Sequence, residues 1–486
     1  MTSSSSSSYD GSSSSYGSSY DDDISDYVGS DESSSSVAEG DLNYQRAKRE
    51  LQSEHLNVKP AQLLDRHRRH LEGWGNDMVR NVGSRVGKVV SMLPVPLTLM
   101  SDCSGAEGAL WGLQELVGNK VTLTASTDKG LAPLKFILAN CNPRKLFTEM
   151  SGRSYDGLSD AMLYAGGFPC TPFSGLRQNS LLLDEPEAQC FWDCLEAIRR
   201  TEPLVALLEN VYGILRVKKQ VWKEMDPLKK KYLICAIKVD AQHLGDPVCR
   251  RRIYFILIRR DVCDKKIKNH LDLEKHCSSA YQKLKRKEPT ISVSDLMLPA
   301  SCPYVQDVQR QREQTVQKTR KHSEFDLTEE PKAKRPRWLQ KHWQKMQELE
   351  VDPKNLHKVD AASRTFSSQR AVHAVEVYES GGHKGTLSVS QQINRMTVKG
   401  QNVPCITPGA QLWNMEKKRL LTGLEKMLFQ GYPVHRLKLR QMKEKELHSL
   451  GGNGMNIRSV AAAFAVAFSV LDVSAFYKAA MDKAKQ

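Results

Sequence analysis

From residue 95 onward, short apolar runs recur between amphipathic stretches: Leu97–Met100, Val121–Ala125, Met162–Ala165, Leu204–Leu208, Tyr232–Val239 and Ile253–Ile258. Apart from Val121–Ala125, with Thr122 and Thr124, these runs are close to continuously apolar, which is the pattern of strands buried on both faces. The helical stretches between them predict βαβ units, hence an α/β fold around a mostly parallel sheet, spanning 94–261. Past Asp261 that rhythm is lost. Residues 262–433 are rich in Lys, Arg, Gln and His and are read as a second, irregular α+β domain. In 434–486 the permissive loop Gly451-Gly452-Asn453-Gly454 precedes one Ala/Val/Phe helix, expected to run through about Ala480 and to return to the first domain. Ahead of the sheet, 41–93 is predicted as a basic helical arm carrying Arg66-His67-Arg68-Arg69-His70. Residues 1–40, with 18 serines, are predicted to be disordered.

Charge sharpens this picture. The chain carries a net +15, yet 1–40 holds eight acids and no Lys or Arg, which leaves +23 on the remaining 446 residues. Such a field favours a polyanionic partner. The longest apolar run, Val460–Leu471, is about twelve residues against the roughly 20 needed to cross a bilayer, so no membrane span is expected. The N-terminus resembles neither a signal nor a transit peptide. Eleven cysteines at irregular spacing point to a reducing compartment. With no C-x-x-C pair, no metal site is expected, and Cys190 and Cys194 are read as buried helix residues.

In sheets of this kind ligands bind in the loops after the strands' carboxyl ends. The first such loop is Ser101-Asp102-Cys103-Ser104-Gly105-Ala106-Glu107-Gly108, a turn that brings a ligand close to backbone and to a helix N-terminus. It lacks the Gly-Lys-Ser/Thr of phosphate loops, which argues against an NTPase. Asp128 follows the second strand, as a ribose acceptor or as a helix cap. Then comes Gly166-Gly167-Phe168-Pro169-Cys170-Thr171-Pro172-Phe173-Ser174, where two prolines hold a cysteine in the manner of a nucleophile. Glu209-Asn210-Val211 puts an acid at the next strand end. Arg250 and Arg252 open the last strand on one side of it, where guanidiniums need anions or carbonyls.

These loops, in this order, resemble the cytosine-5 DNA methyltransferases, and the likeness runs from about Leu97 to Leu471. Arg419-Leu420-Leu421-Thr422-Gly423-Leu424-Glu425 with Gln430-Gly431-Tyr432-Pro433, and Gly452-Asn453-Gly454-Met455, are similar to the family's last two motifs. The resemblance implies a Rossmann-like class I methyltransferase sheet and a target-recognition domain in 262–433. It implies S-adenosylmethionine as methyl donor and double-stranded DNA as partner, in the nucleus. It assigns Cys170 as the attacking thiolate, its pKa lowered by neighbouring positive charge, and Glu209 as the acid at N3. Arg250 and Arg252 would hold the base's O2 and the adjacent backbone. Ser104, Gly105, Asp128, Glu149, Pro169, Asn453 and Met455 fall to the cofactor. The target base must be flipped out of the helix for any of these groups to reach it. Lys332-Ala333-Lys334-Arg335-Pro336-Arg337-Trp338 is read as a phosphate contact, an import signal or a solvated run, and Trp338 and Trp343 as core.

The likeness has departures. Cys103 stands where the family has an aromatic and Glu107 where it has glycine, so a carboxylate is expected to crowd or repel the cofactor's own. The ribose acid would fall near Ser126, which displaces Asp128, and Val248 replaces a frequent glutamine. An active enzyme is expected. Its alternatives are a tRNA cytosine-5 methyltransferase, disfavoured by the large basic insert, and a catalytically silent DNA-binding homologue. A zinc deaminase is excluded: His322-Ser323-Glu324 and Pro404-Cys405 occur in the right order, but position 408 is proline, so a ligand is missing.

Overall fold

The computed structural model describes residues 41–56, 65–93, 95–174, 181–319, 337–396, 398, 400 and 402–486, excluding the side chains at 65, 66 and 69. The Ser/Asp-rich segment 1–40, Pro94, the side chains of Arg66 and Arg69, and the basic run 332–336 lie outside the described residues.

Seven strands form the main sheet: β1 (Leu97–Asp102), β2 (Val121–Thr127), β3 (Lys145–Phe147), β4 (Leu163–Gly166), β5 (Val205–Val211), β6 (Tyr232–Asp240) and β7 (Arg251–Arg259). Their order is β3-β2-β1-β4-β5-β7-β6, with neighbours parallel from β3 to β5 and β7 antiparallel to both β5 and β6. The unbroken apolar runs are explained by the two faces. Leu163 and Ala165 join one core with Leu97, Leu99, Val205 and Leu207, while Tyr164 joins the opposite one with Met100, Ala206 and Leu208. Every second side chain goes to the other side, and both sides are covered.

One face is roofed by the helices Trp74–Val82, Gly108–Val117, His270–Leu284 and Ile457–Phe468, and the other by Gln189–Thr201. Two segments therefore pack otherwise than the sequence reading has them. Leu71, Trp74, Met78, Val82, Val86 and Val89 belong to the sheet's own core, so 65–91 is a layer of the fold, not an arm. Leu273, Cys277, Tyr281 and Leu284 lie in the same core, although a boundary at 262 puts them in the second domain. The edge strand β6 needs an apolar cover on that face, and this helix supplies it.

All twelve residues of Ile457–Phe468 are buried. Gly112 lets that helix approach its neighbour closely: a Cβ there would lie 2.9 Å from Val460 Cγ1. The single C-terminal helix expected from the sequence is two helices. Asp472 accepts from Ala475 N at 2.9 Å and caps a new one, Val473–Lys483.

Farther along the chain, β8 (Thr386–Ser388), β9 (Leu412–Asn414) and β10 (Arg419–Leu420) form an antiparallel sheet with a separate core of Leu339, Val375, Tyr378 and Trp413, against which Trp338 and Trp343 pack. Among the described residues no helix is long and apolar enough to cross a membrane.

Candidate active site

β1 has β2 on one side and β4 on the other, so the chain leaves it in opposite directions and a crevice opens at the carboxyl ends. Register places Asp102 beside Gly166, so the loops that follow β1 and β4 face each other, and Gly167 N donates to Asp102 O at 3.2 Å. The antiparallel β7 has its beginning at this same edge, with Arg252 opposite Val211. A parallel β7 would have sent Arg250 and Arg252 to the far side. Residues opposite each other share a face, so Arg252, Val211 and Glu209 project together.

A cavity of about 1000 Å³ lies there. It brings together Gly105, Asp128, Glu149, Pro169, Cys170, Glu209, Arg250, Arg252 and Asn453. Two residues read as cofactor contacts stand behind its lining. The Ser104 hydroxyl donates to Ser101 O at 3.0 Å and accepts from Thr127 N at 3.1 Å, which ties β1 to β2. Met455 is wedged against Gly108 and Gly167; a Cβ on Gly167 would lie 2.6 Å from its Cε.

Cys170 precedes the 3-10 turn Thr171–Phe173, closed by Phe173 N donating to Cys170 O at 3.0 Å. That turn is held from several sides. Asn210 Nδ2 donates to Phe168 O at 3.1 Å, and Arg216 Nη2 donates to Phe173 O at 3.0 Å. Gly213 comes so close that a Cβ would lie 1.8 Å from Phe173 O. Asn210 carried no role in the sequence reading, although a buried amide must find partners, and its neighbour Glu209 was the residue singled out.

Glu209 is 8% exposed and forms an ion pair with Arg252, Oε1 to Nε 2.8 Å. Arg250 departs from the expected pairing. Its guanidinium donates to Ile406 O at 3.0 Å and Gly454 O at 2.6 Å, with Gly452 O at 3.4 Å. Instead of offering a fork to a base, it clasps two loops that border the cavity. The reason is its 2% exposure: so deeply buried a guanidinium takes the carbonyls nearest to it.

Burial pushes the Cys170 thiol above its ordinary pKa. Arg252 and Arg250 pull it down without cancelling that rise, and Glu209 adds to it. The expected lowering is therefore outweighed by desolvation. Burial also disfavours the charge on Arg252, yet Glu209 holds its pKa above the usual value.

In the first loop, Asp128 accepts from Gly105 N and Gly130 N, both at 2.9 Å, so its oxygens order the backbone, and burial raises its pKa. Glu107 is wholly buried and does not line the cavity, so the expected crowding of a ligand does not arise. It accepts from Ser126 Oγ at 2.6 Å, and burial drives its pKa up to about 7. Both unusual residues here, Cys103 and Glu107, hold left-handed backbone with φ 50° and 53°. Cys194 is buried on its helix as read, whereas Cys190 is half-buried and lines the cavity with Cys103. Among the described residues no three His, Cys, Asp or Glu side chains cluster as a metal site.

The motifs of the second half act on this edge as well. Gln430 Nε2 donates to Gly451 O at 2.9 Å, and the buried Tyr432 hydroxyl abuts Gly108 and Gly454. Arg419 pairs with Glu425 at 2.6 Å inside the capping box of Thr422 and Glu425.

Comparison with known proteins bears on the same region. Residues 98–465 match the family model described as C-5 cytosine-specific DNA methylase. DNA (cytosine-5-)-methyltransferase DMT5 of Cryptococcus neoformans var. grubii is 22% identical over 432 residues, covering 81% of this chain and 17% of that protein. The type II methyltransferase M.NgoMIV of Neisseria gonorrhoeae is 30% identical over 122 residues, 24% of this chain and 36% of its own. The match thus spans well under half the length of either relative. Among solved structures, S. pombe Dnmt2 methyltransferase aligns at TM-score 0.44 and 14% identity, over 76% of this chain and 97% of its own. The Entamoeba histolytica methyltransferase EhMeth aligns at 0.42 and 14%, over 77% and 98%. The family match begins in β1, ends within Ile457–Phe468 and takes in every loop of the cavity; on its α/β class I methyltransferase fold, the chain belongs to the C-5 cytosine-specific DNA methylase family.

Proposed function

We propose that this chain transfers a methyl group from S-adenosylmethionine to C5 of a flipped-out cytosine in DNA, with Cys170 as the covalent catalyst. The observation that carries the reading is one continuous cavity, with Cys170, Glu209 and Arg252 in the same space as Gly105, Asp128 and Glu149.

The residues fit the cofactor. Gly105 has φ +58°, and a Cβ there would meet nothing nearer than Gly454 Cα at 4.0 Å, so a ligand can lie against the loop that Asp128 orders. Gly105, Glu149, Pro169 and Asn453 would hold S-adenosylmethionine, which supplies an electrophilic methyl group when bound.

C5 of cytosine is too weak a nucleophile to take a methyl group unaided. Addition of the Cys170 sulfur at C6 makes C5 electron-rich, and the thiol gives its proton to water before the sulfur attacks. Arg252 and Arg250 favour that ionisation, against burial and Glu209. Glu209, steadied by Arg252, faces the ring nitrogen N3 and shares a proton with it as electrons move into the ring. Once C5 has taken the methyl group, loss of its proton to water re-forms the C5–C6 double bond, expels the sulfur and frees Cys170.

A base inside a duplex cannot reach this edge of the sheet, so the target is extruded into the cavity. The second sheet unit and the chain's positive charge supply the grip on DNA. Nuclear residence follows from a DNA substrate and is tested by imaging the tagged protein. Transfer of labelled methyl groups to duplex DNA and to tRNA, assayed side by side, tests the substrate. 5-Methylcytosine is expected in DNA alone and is lost in Cys170→Ser; transfer to tRNA alone overturns the assignment.

A further inference from the structure

The cavity that holds Cys170 also has a second-unit side, formed in part by Ser388, Gln391 and Arg395. Of the residues that 386–408 contributes to the lining, Arg395 is the one cation, among the described residues. It is exposed, and no described side chain or carbonyl bonds to its guanidinium.

Its backbone is firmly fixed. Arg395 ends the 3-10 turn Ile393–Arg395, and the flanking Ile393 and Met396 are 1% and 3% exposed. The single Tyr378 hydroxyl proton lies between the Met396 and Ile393 carbonyls, with Oη at 2.8 and 3.3 Å from them, and Arg395 N donates to Gln392 O at 2.8 Å. Lys341 Nζ holds the Gln392 side chain at 2.6 Å, and Arg370 Nη1 donates to Gln391 O at 3.3 Å. An arginine on a loose loop is an ordinary solvated charge. Here an unengaged fork sits on an anchored turn, beside the space where a base is to be received.

A guanidinium fork asks for two adjacent acceptors, and guanine alone among the bases presents two, O6 and N7, on its major-groove edge. A phosphate also accepts a fork. Yet among the described lining residues of 386–408 Arg395 is the one cation, next to the neutral Ser388 and Gln391, while Lys341 and Arg370 are engaged with Gln392 and Gln391; that set suits a base edge more than a backbone anion.

We propose that Arg395 reads a guanine within two base pairs of the target cytosine, through O6 and N7. The proposal rests on the cavity being a cytosine site. A good bidentate contact of this kind discriminates by about 10- to 100-fold.

The test uses the full chain and duplexes bearing one target cytosine with two randomised base pairs on each side. The duplexes are supplied both unmethylated and with the opposite strand methylated. Sequencing of the methylated products should show guanine enriched about tenfold or more at one flanking position. Arg395→Ala should lose that enrichment and keep its activity on other flanks, and Arg395→Lys should keep only part of it. Replacing the favoured guanine by 7-deazaguanine, which lacks the N7 acceptor, should cost the parent protein a similar factor. No guanine preference in the parent, or a preference that survives Arg395→Ala, overturns the proposal. So does a uniform loss across all flanks in that variant, the signature of a phosphate contact. Methylation of every duplex without preference sinks this proposal alone, whereas methylation of none sinks the cytosine-site reading with it.

Discussion

At the scale of single residues, the reactive sulfur is set by competing terms. Burial holds the Cys170 proton on, the two arginines pull it off, and burial wins. Alkylation of Cys170 by iodoacetamide, followed by peptide mass spectrometry, should therefore still be accelerating where a free thiol, with a pKa of about 8.5, is levelling off. A plateau at or below that pH contradicts this ordering of forces. Glu107 gives a second test. Its folded pKa of about 7 lies above the model-compound value of 4.5, so between those values the folded chain keeps a proton that the unfolded chain has lost. Stability is thus eroded as pH rises through that window and levels off above it. Glu107→Gln cannot ionise, so its stability relative to the parent should grow by up to about 3 kcal/mol between pH 4.5 and 8, measured by denaturant unfolding. A difference that does not change with pH would remove the buried carboxylate from the account. Residue types were legible in the sequence: Cys170 stands in the loop after β4, and Glu209 lies within the carboxyl end of β5. Hydrogen-bond partners were not, because nothing in Arg250-Arg251-Arg252 tells that the first guanidinium is spent on Ile406 and Gly454 while the third meets Glu209.

At the scale of elements, six apolar runs became six strands, since a strand covered on both faces leaves an unbroken hydrophobic signature. β3 escaped notice because three residues, Lys145–Phe147, are too few to show any pattern. The direction of β7 also escaped, because strand composition does not encode polarity, yet that reversal is what delivers the arginines to the cavity. The helix His270–Leu284 was assigned by composition to the wrong side of a boundary, as its lysines and histidines mask an apolar stripe of Leu273, Cys277, Tyr281 and Leu284. Arg250 links these elements, with three carbonyls from two distant loops converging on one guanidinium. Arg250→Lys keeps the charge but loses the fork. It should cost about 2–4 kcal/mol of stability, since charge-assisted hydrogen bonds are worth about 1.5–3 kcal/mol each and only some are lost. Activity should fall with it. A variant as stable as the parent, with only its base contacts weakened, would return Arg250 to the role first read for it.

At the scale of the whole molecule, the sequence order and the spatial order differ in a way that serves the site. The segment 420–470 lies far from β1 in the chain, yet its helix Ile457–Phe468 packs against Gly108–Val117. Its Tyr432, Gly452 and Gly454 close over the loops of β1 and β7. Lys135, wholly buried, pairs with Glu446 at 2.9 Å and fixes the same C-terminal segment to the β2 side of the sheet. The cavity is thus complete only when the end of the matched region has returned to its beginning. One measurement tests the central claim most directly: intact mass and peptide mapping after incubation with S-adenosylmethionine and a duplex carrying 5-fluorocytosine. Fluorine at C5 cannot leave as the proton does, so the account expects a stable adduct joining the methylated base to the Cys170 peptide and absent from Cys170→Ser. No adduct, or one mapped to Cys103, Cys249 or Cys405 in the same cavity, would contradict it.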